Sequence, residues 1–139
     1  MYLLDTNVVS ELRKAPRGLA HRSVVEWAAG VTASVLYLSV ITIMELEQGV
    51  LMKERRDPAQ GRVLRQWLTR QVVPAFSNRV LPIDIAIARR CAKLYVPDPR
   101  GERDAMIAAT ALVHGMTIVT RNEADFAPTG VALFNPWLL

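Results

Sequence analysis

Cysteine is nearly absent from this sequence: Cys91 stands alone, which excludes an internal disulfide and fits a reducing, cytoplasmic setting. Histidine is almost as scarce. With only His21 and His114 available, no Cys/His set at zinc-ligand spacing exists. A long apolar run is missing too. The longest such stretch, residues 105–119, is broken by Thr110, His114, Gly115 and Thr117, so it reads as a core helix and a strand, not a membrane span. The first residues carry no basic n-region, and Asp5 interrupts their apolar stretch, so no signal peptide is expected. No repeat, low-complexity tract or linker divides the chain. Its 139 residues therefore suit one domain, 1–139, with a substantial core.

What is present describes a globular, basic protein. Half of the residues (51%) are hydrophobic and 22% are charged, a balance that excludes intrinsic disorder. The net charge is +4 and the pI about 9.7. Such a surface attracts a polyanion, with an acidic protein as the competing partner.

Strand-like and helix-like segments alternate. Residues 1–4 form a wholly apolar run, as in a strand buried on both faces of a parallel sheet. Further strands are expected at 36–40, 80–83, 116–119 and 131–134. Helices are expected at 6–14, 19–29, 42–55, from Pro58 through Val72, from Asp84 to Tyr95, and from Asp104 to His114, where Gly115 stops the last of these. Residues 97–101, Pro-Asp-Pro-Arg-Gly, cannot be regular structure. This order gives an α/β fold, a three-layer α/β/α sandwich around a mostly parallel sheet.

Chain direction then places the acids. Asp5 ends the first strand, Glu45 lies early in the helix after the second, and Asp104 opens the helix feeding the fourth. Thr120, Asn122 and Asp125 follow the fourth strand. All therefore point to the carboxyl edge of the sheet, where open α/β sheets bind ligands. Two carboxylates about 5 Å apart repel by roughly 3 kcal/mol at an effective dielectric of 20. Four together need protons or a cation among them. All-oxygen ligands suit Mg²⁺ or Mn²⁺, and a metal-activated water attacking a phosphodiester asks little else of the protein. With these four set aside, nine acids face seventeen basic residues, which leaves an acidic pit in a basic surround.

Each residue also has an ordinary reading. Asp5 and Asp104 are good helix caps, Glu45 a solvated helix residue, and Asp125 a surface turn. Gly49, four residues beyond Glu45, is explained either by an open face or by close helix packing. Glu102 is an additional acid of open role. Glu11, Glu47 and Glu54 read as helix surface. Thr6, Thr120 and Asn122 can cap or can reach the site. A receiver-like phosphoacceptor would need an acidic pair near the first strand and a lysine beyond a late one, and neither is present.

Leu3-Leu4-Asp5-Thr6-Asn7, Ile43-Met44-Glu45-Leu46 with Gly49, Asp104-Ala105-Met106-Ile107-Ala108-Ala109-Thr110-Ala111, and Val119-Thr120-Arg121-Asn122 with Asp125-Phe126 together resemble the PIN-domain family. The resemblance spans the chain with the motifs in order, and is strongest to VapC-type toxins of the FitB-like branch. It implies a Mg²⁺- or Mn²⁺-dependent endoribonuclease whose catalytic, metal-binding quartet is Asp5, Glu45, Asp104 and Asp125. Thr6, Thr120 and Asn122 match accessory polar positions. It further implies an RNA substrate, a homodimer, and a small antitoxin on a separate chain that holds the toxin inactive. The alternative is a PIN-like module that binds RNA or protein without cutting. Asp5→Asn and Asp104→Asn are expected to abolish cleavage, leave the fold intact and raise the melting temperature without metal.

Overall fold

The computed structural model describes all 139 residues. Strand β1 (Tyr2–Leu4) leads into α1 (Thr6–Arg13), and α2 (Arg22–Ala29) precedes β2 (Leu36–Ser39). A helical hairpin follows, α3 (Val40–Arg56) and α4 (Pro58–Trp67). The second arm continues through a π turn (Leu68–Val72) into α5 (Val73–Ala75). Then come β3 (Val80–Leu81), α6 (Ile85–Leu94), α7 (Glu102–His114), β4 (Thr117–Val119), α8 (Glu123–Phe126) and β5 (Leu133–Phe134).

The five strands form one sheet in the order β3-β2-β1-β4-β5, and every pairing is parallel. Because strand side chains alternate, neighbouring residues enter opposite cores. Leu4, Leu38 and Val119 join Val8, Leu46, Val50 and Leu68 on the face covered by α1, α3 and α4. Leu3 and Ile118 join Ile107, Ala108, Ala111 and Phe126 on the face covered by α7 and α8. The layering is that of an α/β/α sandwich.

Local chemistry sets the boundaries. Ser39, not Thr42, starts the third helix: its hydroxyl accepts the Ile41 amide at 3.0 Å. The second helix begins three residues later than expected, because Ala15–Arg17 form a 3₁₀ turn and Gly18 turns left-handed at φ 69°. The π turn precedes Pro74: Val73 N donates to Leu68 O, and the proline has no amide to continue an α pattern. Helix α7 opens at Glu102, so Asp104 lies within its first turn and is no cap.

The two informative glycines differ. A Cβ on Gly61 would sit 2.4 Å from Glu54 Cα, so α3 and α4 touch backbone to backbone there. A Cβ on Gly49 would meet nothing within 4 Å, which selects the open face over tight packing. Arg65 adds polar links across the hairpin, donating to Glu47 at 2.7 Å and to Glu54 at 2.9 Å.

Candidate active site

Strand order reverses at β1, with β2 and β3 to one side and β4 and β5 to the other. The crevice between β1 and β4 is thus the switch point of the sheet. Asp5 leaves β1 here and Thr120 leaves β4. Both are buried, 7% and 0% exposed. The Thr120 hydroxyl donates to Asp5 Oδ2 at 2.8 Å, the Thr6 amide to Oδ1 at 2.8 Å, and Asn7 Nδ2 to Oδ2 at 3.2 Å. Asp5 is therefore at once the cap of α1 and a fixed acid at the sheet edge. The Asn122 amide in turn donates to Thr120 Oγ1 at 2.9 Å.

Glu45 reaches the crevice from α3. The Thr6 hydroxyl donates to its Oε1 at 2.6 Å, and Arg103 Nη1 lies 3.8 Å from its Oε2. Arg103 also donates to Gln48 at 2.8 Å, so it bridges α7 to α3 over the rim. Asp104 enters from α7, half-buried. Asp125 stands exposed on α8.

Electrostatics ties the four together. Burial raises the Asp5 carboxyl above its ordinary range, the charges of Glu45 and Asp125 act in the same direction, and the Thr120 and Thr6 donors oppose them. Asp104 is pushed up to about 6, first by burial and then by the charges of Asp5, Asp125 and Glu45. The charges of three other acids thus reach Asp104, on top of its burial.

No group of three or more His, Cys, Asp or Glu side chains is arranged to hold a metal ion as it stands. The donor chemistry nonetheless fits a hard divalent cation: the converging groups offer oxygen alone, and their charges raise Asp5 and Asp104 together.

Of the polar residues expected here, Thr6 and Thr120 hold the acids, whereas Asn122 contributes its amide and leaves its side chain exposed. Glu102 is exposed, and its charge acts on Cys91 of α6 and on Tyr95 at the end of that helix. Two contributors were not anticipated. Asn7 touches Asp5 and Thr120 and accepts the Arg121 amide at 3.3 Å; its place two residues after a strand-end Asp was the available signal. Arg103 was foreshadowed only by adjacency to Asp104. One expectation is corrected: Glu11 is not helix surface. It is buried and accepts the His21 amide at 2.9 Å. Burial alone would raise its carboxyl, but that amide and Lys14 hold it below the usual range.

A family model described as PIN domain matches residues 2–130. The chain is 38% identical to VapC ribonuclease Y4jK of Sinorhizobium fredii, over 99% of this chain and 98% of the relative. It is likewise 38% identical to toxin FitB of Neisseria gonorrhoeae, over 99% of each. The crystal structure of FitAcB from Neisseria gonorrhoeae superposes with a TM-score of 0.89 at 35% identity, covering 100% of both chains.

Proposed function

The chain belongs to the PIN-domain family, and on that premise we propose that it is a divalent-metal-dependent endoribonuclease, the toxin of a toxin–antitoxin pair. The observation that carries this reading is the convergence of Asp5, Glu45, Asp104 and Asp125 at one edge of the sheet, close enough that the charges of the other three all bear on Asp104. Three stretches of chain deliver negative charge to one point around it, and a cation is the missing counterpart.

Asp5, Glu45, Asp104 and Asp125 would hold Mg²⁺ or Mn²⁺. When bound, the ion supplies Lewis-acid stabilisation of charge developing on the phosphate and acidifies the attacking water. The protein's part is positioning. Thr120, Asn7 and the Thr6 amide fix Asp5 on the rigid sheet edge, and the Thr6 hydroxyl aims Glu45. Arg103, at the rim and 3.8 Å from Glu45, would offer a guanidinium to a phosphate oxygen. The surrounding excess of arginine and lysine raises the local concentration of RNA.

The named toxin relative supports a small antitoxin on a separate chain as the protein partner, and RNA as a substrate puts the reaction in the cytoplasm. A homodimer is supported by the α3 stripe of Val40, Met44 and Leu51, which are 39%, 43% and 55% exposed. The test is end-labelled RNA incubated with purified protein and Mn²⁺, Mg²⁺ or EDTA. Cleavage with metal that EDTA stops and Asp104→Asn abolishes is expected. RNA that is bound yet never shortened would overturn the assignment.

A further inference from the structure

A groove leads away from the acidic crevice. Thr6 and Glu45 line the inner end of a cavity of about 170 Å³ that passes over Gly49 to Arg13 and Trp67. There it meets a second cavity, of about 340 Å³, lined by Arg13, Trp67, Arg17 and Arg70. A third, apolar one shares the same two residues and reaches back to Val72 and Phe76. Trp67 thus stands where all three join, half-buried, with the Arg13 guanidinium 5.9 Å from its ring centroid.

Charge along this path runs one way. The only carboxylate is Glu45, at the inner end. Arg13, Arg17 and Arg70 are exposed, and like most arginines of the chain they are in no ion pair. Three unneutralised arginines flanking an aromatic ring on an apolar wall match how single-stranded nucleic acid is held. Cations track the backbone, and an aromatic face takes a base whatever its identity. A polypeptide would use the apolar wall, but only one with acidic side chains at the right spacing would answer the arginines.

We propose that single-stranded RNA reaches the acidic crevice along this groove, with a base stacked at the Trp67–Arg13 pair and backbone phosphates on Arg17 and Arg70. This rests on the ribonuclease reading above. Gly49 belongs to the same device: its missing side chain keeps the passage between Glu45 and Trp67 open.

The experiment compares wild type, R17E/R70E, and R89E/R90E on α6, a variant of equal charge change outside the groove. Each is given a single-stranded RNA oligonucleotide with Mn²⁺ over a range of salt, and wild type is also given bis(p-nitrophenyl) phosphate. R17E/R70E is expected to raise KM for RNA at least tenfold with little change in kcat. Its salt dependence is expected to weaken by about 1.4 in log–log slope, two phosphate contacts at about 0.7 each. R89E/R90E is expected to leave KM near wild type. An unchanged KM in R17E/R70E while RNA is still cut overturns the path and leaves the groove to a polypeptide. An equal rise in R89E/R90E overturns it in favour of net charge alone. Wild type that hydrolyses neither RNA nor the diester removes the ribonuclease reading itself, and the path with it.

Discussion

The Thr120 hydroxyl donates to the Asp5 carboxylate across 2.8 Å, joining residues 115 positions apart at the point where two adjacent parallel strands end. Thr120 is also the acceptor for the Asn122 amide. Thr120→Val keeps the shape and removes these two interactions and the longer one from Asn7 Nδ2, leaving a buried carboxylate short of a donor. Its expected effect is a loss of about 1–3 kcal/mol in urea denaturation, together with a fall in kcat for RNA. Thr120→Ser is expected to restore both. Wild-type stability and turnover in Thr120→Val would show that the bond does not position Asp5.

Asp104 and Asp5 respond differently to neutralisation. The folded-state pKa of Asp104, about 6, lies above its ordinary 3.8, so the folded protein holds this proton more tightly than the unfolded chain. Stability therefore falls as pH rises from about 4 to about 6, and the penalty is complete above that. In EDTA, Asp104→Asn is expected to stabilise by about 1 kcal/mol at pH 7.5, allowing for the solvent screening of a half-exposed group, and by almost nothing at pH 4. Thermal melts at the two pH values check this; a gain that persists at pH 4 would have another origin. Asp5→Asn is expected to give no such gain. It places an amide against the Thr120 and Asn7 donors, which offsets the relief of charge.

That contrast marks how far the sequence could be read. Alternating apolar runs and helical periodicities located every strand and the main helices, and chain direction brought Asp5, Glu45 and Asp104 to one edge. Those are properties of backbone topology, which local pattern and the parallel-sheet rules specify. Side-chain partnerships across the chain were beyond it. Nothing local told that Asp5 would accept three donors while Asp104 would accept none. Glu11 shows the same limit, since its burial depends on the His21 amide arriving from a loop ten residues away. The π turn before Pro74 was hidden because its buried residues, Leu68 and Val72, keep ordinary helical spacing.

Two glycine substitutions of the same kind are expected to have opposite signs. Gly49→Ala adds a methyl to open space on a helix and is expected to stabilise by about 0.5–1 kcal/mol through helix propensity. Gly61→Ala drives a methyl to 2.4 Å from Glu54 Cα, so the α3–α4 hairpin must separate, and a loss of about 1–3 kcal/mol is expected. Denaturation midpoints of both variants measure the difference. If Gly61→Ala were neutral, the backbone approach of the two helices would not be the reason for that glycine.

Thr42 offers the cleanest gain. It is fully buried in the first turn of α3, and its hydroxyl is the one buried side-chain polar atom without a hydrogen-bond partner. A buried hydroxyl gives up its water on folding and here receives nothing in exchange, a desolvation loss of about 1–3 kcal/mol. Valine matches threonine in shape and branching, so Thr42→Val removes the unsatisfied oxygen without opening a cavity. The expected result is a rise in unfolding free energy of about 1 kcal/mol, read from urea denaturation, with cleavage of RNA unaffected. A loss of stability would mean that the hydroxyl has a partner in solution, such as a buried water, and the gain would then have to be sought elsewhere.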